Sequence, residues 1–215
     1  MNSAQPEILI VDMKVSNLRS VSNAFARMGA KTRVSGDPAE VLKAKALVLP
    51  GVGAFEEAMK ARNDPGLVEP LRQRAGRDGV PLIGICLGMQ LLAEASEEHG
   101  DHEGLGLIGG RVTRLQTNDP SYRVPNIGWC DTHPDKSSIL FPDLDEARSF
   151  YYVHSYHLNC TDPQDAAAHI EFSGQNVTVA VERGNIFGAQ FHPEKSQDAG
   201  LDMLERFVTH VHKSQ

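Results

Sequence analysis

Val80-Pro81-Leu82-Ile83-Gly84-Ile85-Cys86-Leu87-Gly88-Met89-Gln90-Leu91-Leu92-Ala93-Glu94 carries the decisive signal. Val80 to Ile85 is a short apolar run that reads as a strand; the chain then passes Cys86 and continues as a helix through Glu94. The strand-to-helix change falls on Gly84-Ile85-Cys86-Leu87-Gly88, a glycine-x-nucleophile-x-glycine arrangement with cysteine where many hydrolases carry serine. Such a turn is tight. Small flanking residues let neighbouring chain approach, and the central side chain projects at the carboxyl end of the strand, where open α/β sheets bind ligands. The positive end of the following helix favours the reactive thiolate, and the N–H of Leu87 is placed to donate to an oxyanion. The competing reading is a buried, inert cysteine between two packing glycines.

Working outward, the first half repeats the same alternation. Glu7 to Asp12 (EILIVD) reads as a buried strand, and Asn17 to Met28 as a helix with Leu18, Val21, Phe25 and Met28 on one face, ended by Gly29. Lys31 to Val34 is a second strand, and Asp37-Pro38 starts a helix with Asp37 as cap. Ala46 to Leu49 is a strand stopped by Pro50-Gly51; Phe55 to Arg62 and Leu67 to Arg77 read as helices. Alternation of this kind implies βαβ units and a mainly parallel sheet with right-handed connections.

From Gly110 to Gln190 the pattern changes to apolar runs between turn-rich segments: Arg111 to Leu115, Phe150 to Val153, Ala167 to Phe172, Val177 to Val181 and Ile186 to Phe191. These read as strands, several antiparallel or mixed. An amphipathic helix, Gly200 to Val211, closes the chain. With 215 residues, no repeat and no clear linker, a single α/β domain over 1–215 is expected.

A net charge of −7 lacks the basic footprint of a nucleic-acid binder, and no apolar run is long enough for a membrane helix. Met1 to Glu7 does not read as a secretory signal. Cys86, Cys130 and Cys160 are sparse and widely spaced, so neither a disulfide framework nor a zinc ribbon is expected, and a reducing cytoplasm is the natural setting. His99 and His102 flank Asp101, but the acidic, glycine-containing surroundings read as a solvated loop; no metal and no cofactor are expected.

A nucleophilic cysteine needs a base, and the base an orienting group. His192-Pro193-Glu194 follows the strand ending at Phe191 and supplies both within three residues, although one histidine of nine near a strand end proves little alone. A second glycine loop, Leu49-Pro50-Gly51-Val52-Gly53-Ala54-Phe55, also follows a strand and can bring another N–H to an oxyanion. It lacks the Gly-Lys-Ser/Thr of a phosphate loop and the dinucleotide fingerprint. A plain βα turn is its alternative reading.

Together LPGVGAF, GICLGMQLL and QFHPEKS resemble the class I (triad) glutamine amidotransferases. NLRSV at Asn17, GLGLI at Gly104, VPNIGW at Val124 and YVHSY at Tyr152 extend the resemblance to nearly the whole chain, in the manner of glutaminase subunits of imidazole glycerol phosphate synthase. It implies a flavodoxin-like mainly parallel sheet with a mixed C-terminal part. It also implies hydrolysis of glutamine by Cys86, His192 and Glu194, with Leu87, Val52 and Gly53 forming the oxyanion hole. Glutamine would be held around Gly51, Gln90, Glu98, His154, Ser155 and Tyr156. The implied partner is a (β/α)8 cyclase that receives ammonia. Asn17, Pro50, Trp129, Tyr151 and Lys195 match positions near that interface, and a peptide flip at Val52 would complete the oxyanion hole.

Met13, Lys14, Ser16, Asn126 and Cys130 depart from the family pattern. They leave open ammonia delivery to another synthase, such as one building an amidine on a surface sugar. A non-catalytic subunit of the same fold and a cysteine-dependent α/β-hydrolase are the readings from other classes; intact Cys86, His192 and adjacent Glu194 argue against both.

Overall fold

The computed structural model describes residues 7–14, 17–63, 66–143 and 146–214. In chain order the strands are β1 Glu7–Val11, β2 Lys31–Ser35, β3 Leu47–Gly51, β4 Leu82–Cys86, β5 Ala95–Ser96, β6 His102–Glu103, β7 Gly110–Arg114, β8 Asn126–Pro134, β9 Arg148–His154, β10 Tyr156–Cys160, β11 Ala166–Phe172, β12 Gln175–Arg183 and β13 Ile186–Ala189. The α-helices are α1 Leu18–Arg27, α2 Pro38–Val41, α3 Phe55–Asn63, α4 Val68–Leu71, α5 Leu87–Gln90 and α6 Gln197–Ser214.

A nine-stranded sheet has the order β2-β1-β3-β4-β13-β12-β11-β8-β9. Its first five strands are parallel, the flavodoxin-like arrangement, and from β13 onward each pairing is antiparallel. A separate sheet, β10-β7-β5-β6, completes the mixed C-terminal part. Burial on both faces explains why β1 is apolar from Ile8 to Val11. Ile8 and Ile10 enter the core on one face with Phe25, Phe187 and Phe207. Leu9 and Val11 enter the core on the other with Leu47, Leu49 and Phe55. A parallel strand covered on both sides has no solvent face to alternate with.

Several elements differ from the sequence reading. The helix expected to run from Cys86 through Glu94 ends at Gln90, and its continuation is turn and the short β5. Those turns carry Leu91, Leu92 and Ala93 into the core through backbone bonds with residues 104–108, so tertiary pairing displaces the local helical pattern. The helix over Leu67 to Arg77 is α4 followed by a π-helical segment, Arg72–Arg77. Asp37 does cap α2, accepting from Ala39 N at 2.9 Å, but that helix is only four residues long. β8 and β10 escaped the sequence reading because apolarity does not follow their burial: in β8 Ile127 and Trp129 are exposed while Asn126, Gly128 and Thr132 take the less exposed positions, and β10 buries only Leu158.

Candidate active site

Cys86 ends β4 with φ 55° and ψ −113°. That backbone shape is strained for a residue with a Cβ, and the surrounding glycines make it possible. A Cβ on Gly88 would lie 1.7 Å from Leu49 O, and one on Gly84 2.5 Å from Gly88 O. Chain therefore packs directly on chain at this turn. Gly51 pairs with Cys86 across β3 and β4, which brings the Val52-Gly53 loop beside the sulfur. Pro50 is tolerated because β3 pairs with β1 only at Leu47 and Val48, leaving no ladder bond for the missing N–H on that side.

A cavity of about 320 Å³ opens over Cys86. Val52, Gly53, Leu87, Gln90, Glu98 and His192 line it, with Pro125, Val153, His154, Ser155, Tyr156 and Lys195 completing the wall. The size suits a small molecule of amino-acid dimensions.

His192 lies beside Cys86, and its Nδ1 is 2.9 Å from Glu194 Oε1. A carboxylate only accepts, so Nδ1 carries the proton and Nε2 is left for the sulfur. Burial works against the imidazolium, but hydrogen bonds to Cys86 and Glu194, reinforced by their charges, prevail and raise His192 to about 9. The backbone of His192 is pinned from β9: its N–H donates to Tyr151 O at 2.9 Å. Ser196 Oγ donates to His192 O at 2.6 Å and accepts from Tyr151 N at 3.0 Å. The other two cysteines are poor nucleophiles, since burial pushes Cys130 up and Cys160 up to about 12.

His154 is held the opposite way. Its Nδ1 is 2.9 Å from Tyr156 O and must donate; its Nε2 is 3.2 Å from Asn126 Nδ2 and must accept. Burial lowers it to about 4, so it is neutral at physiological pH. Asn126 also contacts Cys130 at 3.7 Å, so these two departures from the family pattern touch each other.

The sequence-derived glutamine and oxyanion residues thus gather around one cavity, with Gly51 just behind its wall at the Cys86 pairing. Lys195, expected near an interface, lines the cavity itself. Asn17, Pro50, Trp129 and Tyr151 do not line it. Asn17 precedes α1. Trp129 is 48% exposed and packs edge-on against Tyr151, with ring centroids 5.9 Å apart. Met13 is buried and Lys14 adopts φ 61°; Ser16 lies outside the described residues.

The family model for class-I glutamine amidotransferases matches residues 9–211. The chain belongs to the class I glutamine amidotransferase family. Relatives named imidazole glycerol phosphate synthase subunit HisH match along nearly the full length of both chains. The Sulfurimonas denitrificans protein is 46% identical over 94% of this chain and 97% of its own. The Synechococcus elongatus protein is 42% identical over 99% and 97%. Two solved structures share the amidotransferase fold. One, described as a glutamine amidotransferase, has a TM-score of 0.74 at 18% identity, covering 95% of this chain and 98% of that one. The other, PurLQS from Thermotoga maritima, has a TM-score of 0.72 at 17% identity, covering 96% and 99%.

Pro125, Val153, Asn126 and Gln190 were not singled out as site residues by sequence reasoning. Gln190 stands two residues before His192, inside a motif already quoted, so its position was visible but its direction was not. Among the described residues no helix is long and apolar enough to cross a membrane.

Proposed function

We propose that this chain is the glutaminase subunit of an imidazole glycerol phosphate synthase, built as one domain and acting in the cytoplasm. The observation that carries the reading is Cys86 at a strained strand end beside a raised, Glu194-bound His192, in a chain 46% identical to a relative of that name.

Cys86 Sγ attacks the side-chain amide carbon of glutamine, and the carbonyl electron pair moves onto oxygen. Backbone N–H groups at Leu87 and at Val52-Gly53 receive that oxyanion, an interaction that strengthens only as charge develops. His192 gives its proton to the amide nitrogen as the C–N bond breaks, and ammonia leaves. Water, deprotonated by His192, then attacks the thioester carbon; the C–S bond breaks and glutamate is released. Glu194 orients the ring throughout and supports its charged form. Gln90 and Glu98, acceptors in the cavity wall, suit the ammonium of the substrate.

The ammonia acceptor in this reading is a (β/α)8 cyclase subunit. Exposed Ile127, Trp129, Val153 and Val52, 38 to 61% accessible, support a docking face beside the cavity.

Glutamate release is measured with the chain alone, and with the cyclase subunit and its nucleotide ligand, using Cys86→Ala as control. A partner-dependent rise that Cys86→Ala abolishes is expected. Cys86-dependent hydrolysis indifferent to the cyclase would instead favour delivery to another synthase. No labelling of Cys86 by a thiol-reactive glutamine analogue would overturn the glutaminase reading.

A further inference from the structure

Gln190 is completely buried at the end of β13, and three contacts fix which way its amide faces. Gln90 Nε2 lies 3.0 Å from Tyr156 O and 3.0 Å from Gln190 Oε1. The backbone carbonyl of Tyr156 can only accept, so the Gln90 atom facing it is the nitrogen. That nitrogen donates its second hydrogen to Gln190, which therefore presents its oxygen to Gln90. The Gln190 nitrogen is left facing Cys86 Sγ, at 3.9 Å, within reach of the larger sulfur atom. One carbonyl thus sets the direction of a chain of amides that ends in an N–H aimed at the sulfur.

We infer that Gln190 is a positioning residue for the nucleophile: its side-chain N–H holds Cys86 Sγ in the thiolate form and in line for attack, while its oxygen locks Gln90 with an acceptor turned to the cavity. The inference rests on the glutaminase reading for its purpose but not for its test. The need for such a donor follows from the shape of the elbow. α5 has four residues, too short to supply the helix-terminal field that the sequence reading assigned to it. Sulfur also has Val153 O at 4.0 Å, which accepts from a thiol and offers nothing to a thiolate. A buried N–H toward anionic sulfur compensates in part for lost solvation. The contact also gives the amide of fully buried Gln190 partners for both its oxygen and its nitrogen.

The titratable and charged groups around the sulfur are His192 with Glu194 behind it, His154 from β9, and Glu98 and Lys195 in the cavity wall. His154 is neutral above about 4 and does not change charge where Cys86 reacts. His192 is the main cation, and Gln190 adds a donor that has no titration of its own.

The test is the pH dependence of iodoacetamide labelling at Cys86 in the full chain, read peptide by peptide to separate it from Cys130 and Cys160. Gln190→Met keeps length and removes the donor; its labelling profile is expected to shift upward by about one pH unit, the scale of one hydrogen bond to a charged group. Gln190→Glu keeps the acceptor for Gln90 and puts a carboxylate on the sulfur, and is expected to shift the profile further. Glutamine turnover in Gln190→Met should fall in kcat by about tenfold. A folded Gln190→Met whose profile overlays the parent overturns the inference, whatever its melting temperature. If the variants do not fold, the Gln190 side-chain amide resonances of the parent decide: they must titrate with Cys86 and lose that step in Cys86→Ser, and indifference to Cys86 overturns the inference. No glutamate release by the parent under any condition would defeat the glutaminase reading while leaving this labelling comparison intact.

Discussion

Glu98 Oε2 accepts the backbone N–H of Phe55 at 2.8 Å. The carboxylate reaches across 43 residues to the first residue of α3, the point where the Val52-Gly53-Ala54 loop enters its helix. One oxygen holds that loop while the side chain also lines the cavity. In the proposed glutaminase, substrate recognition and oxyanion geometry would therefore share one side chain.

Glu98→Ala should for this reason affect both steps. Removal of an N-terminal acceptor costs about 1 kcal/mol in stability, and the loop is released from its anchor. The expected kinetic result is a KM raised by at least about tenfold together with a lower kcat, the size of one lost charged hydrogen bond. Steady-state glutaminase assays with the activating partner check it; a pure KM effect would mean that the Phe55 contact does not govern the loop.

His192 gives a pH prediction whose sign is fixed. Its folded value, about 9, lies above the ordinary 6.5, so the folded state binds the proton more tightly. Its stabilising contribution is complete below about 6.5 and is lost as pH rises through about 9. Glu194→Gln removes a negative partner and should lower the His192 midpoint, seen by NMR of the imidazole. Denaturation of the parent and of Glu194→Gln should differ most below pH 6.5 and converge above 9.

His154 behaves in reverse. Burial lowers it to about 4, so the folded state resists protonation that the unfolded chain accepts below 6.5. Its contribution is complete above 6.5 and declines as pH falls toward 4. Asn126→Asp replaces the Nε2 donor with a carboxylate, and the His154 midpoint should then rise. Imidazole chemical shifts followed from pH 3.5 to 8 test this.

Gly88 and Gly53 should separate close packing from backbone strain. An alanine Cβ at Gly88 meets Leu49 O at 1.7 Å, so Gly88→Ala is expected to lose more than about 3 kcal/mol or not fold. At Gly53 a Cβ meets nothing within 4 Å, and only φ 97° opposes it. Gly53→Ala should remain folded, cost about 1 to 2 kcal/mol, and lose activity through the loop. Chemical denaturation alongside glutamate release distinguishes the two.

Ser196→Ala should act on His192 from behind. It leaves the Tyr151 N–H and the His192 carbonyl without their hydroxyl partner in a site where Ser196 is 1% exposed. A loss of about 1 to 3 kcal/mol is expected from the denaturation midpoint.

The alternation of apolar strands and amphipathic helices through Cys86 was sufficient, by itself, for a mainly parallel α/β sheet; the flavodoxin-like arrangement was what the family resemblance implied. β1, β3 and β4 are buried on both faces, so their apolar runs are nearly independent of what covers them. The tight turn at Cys86 was legible for a related reason: a residue flanked by Gly84 and Gly88 at a strand end has a steric signature in local sequence. The pairing of His192 with Glu194 was legible because the two residues lie two apart in the chain.

Tertiary structure alone decided the rest. The helical pattern after Gln90 yielded to backbone bonds with residues 104–108. In β8 the burial alternates regularly, but the apolar Ile127 and Trp129 take the exposed positions and Asn126, Gly128 and Thr132 the less exposed ones, so hydropathy does not report the strand. The direction of Gln190 depends on the carbonyl of Tyr156, and the neutrality of His154 on burial. Local sequence encodes periodicity and steric permission. Which atom of an amide faces a sulfur depends on partners dozens of residues away, and only the folded chain brings those partners within 4 Å.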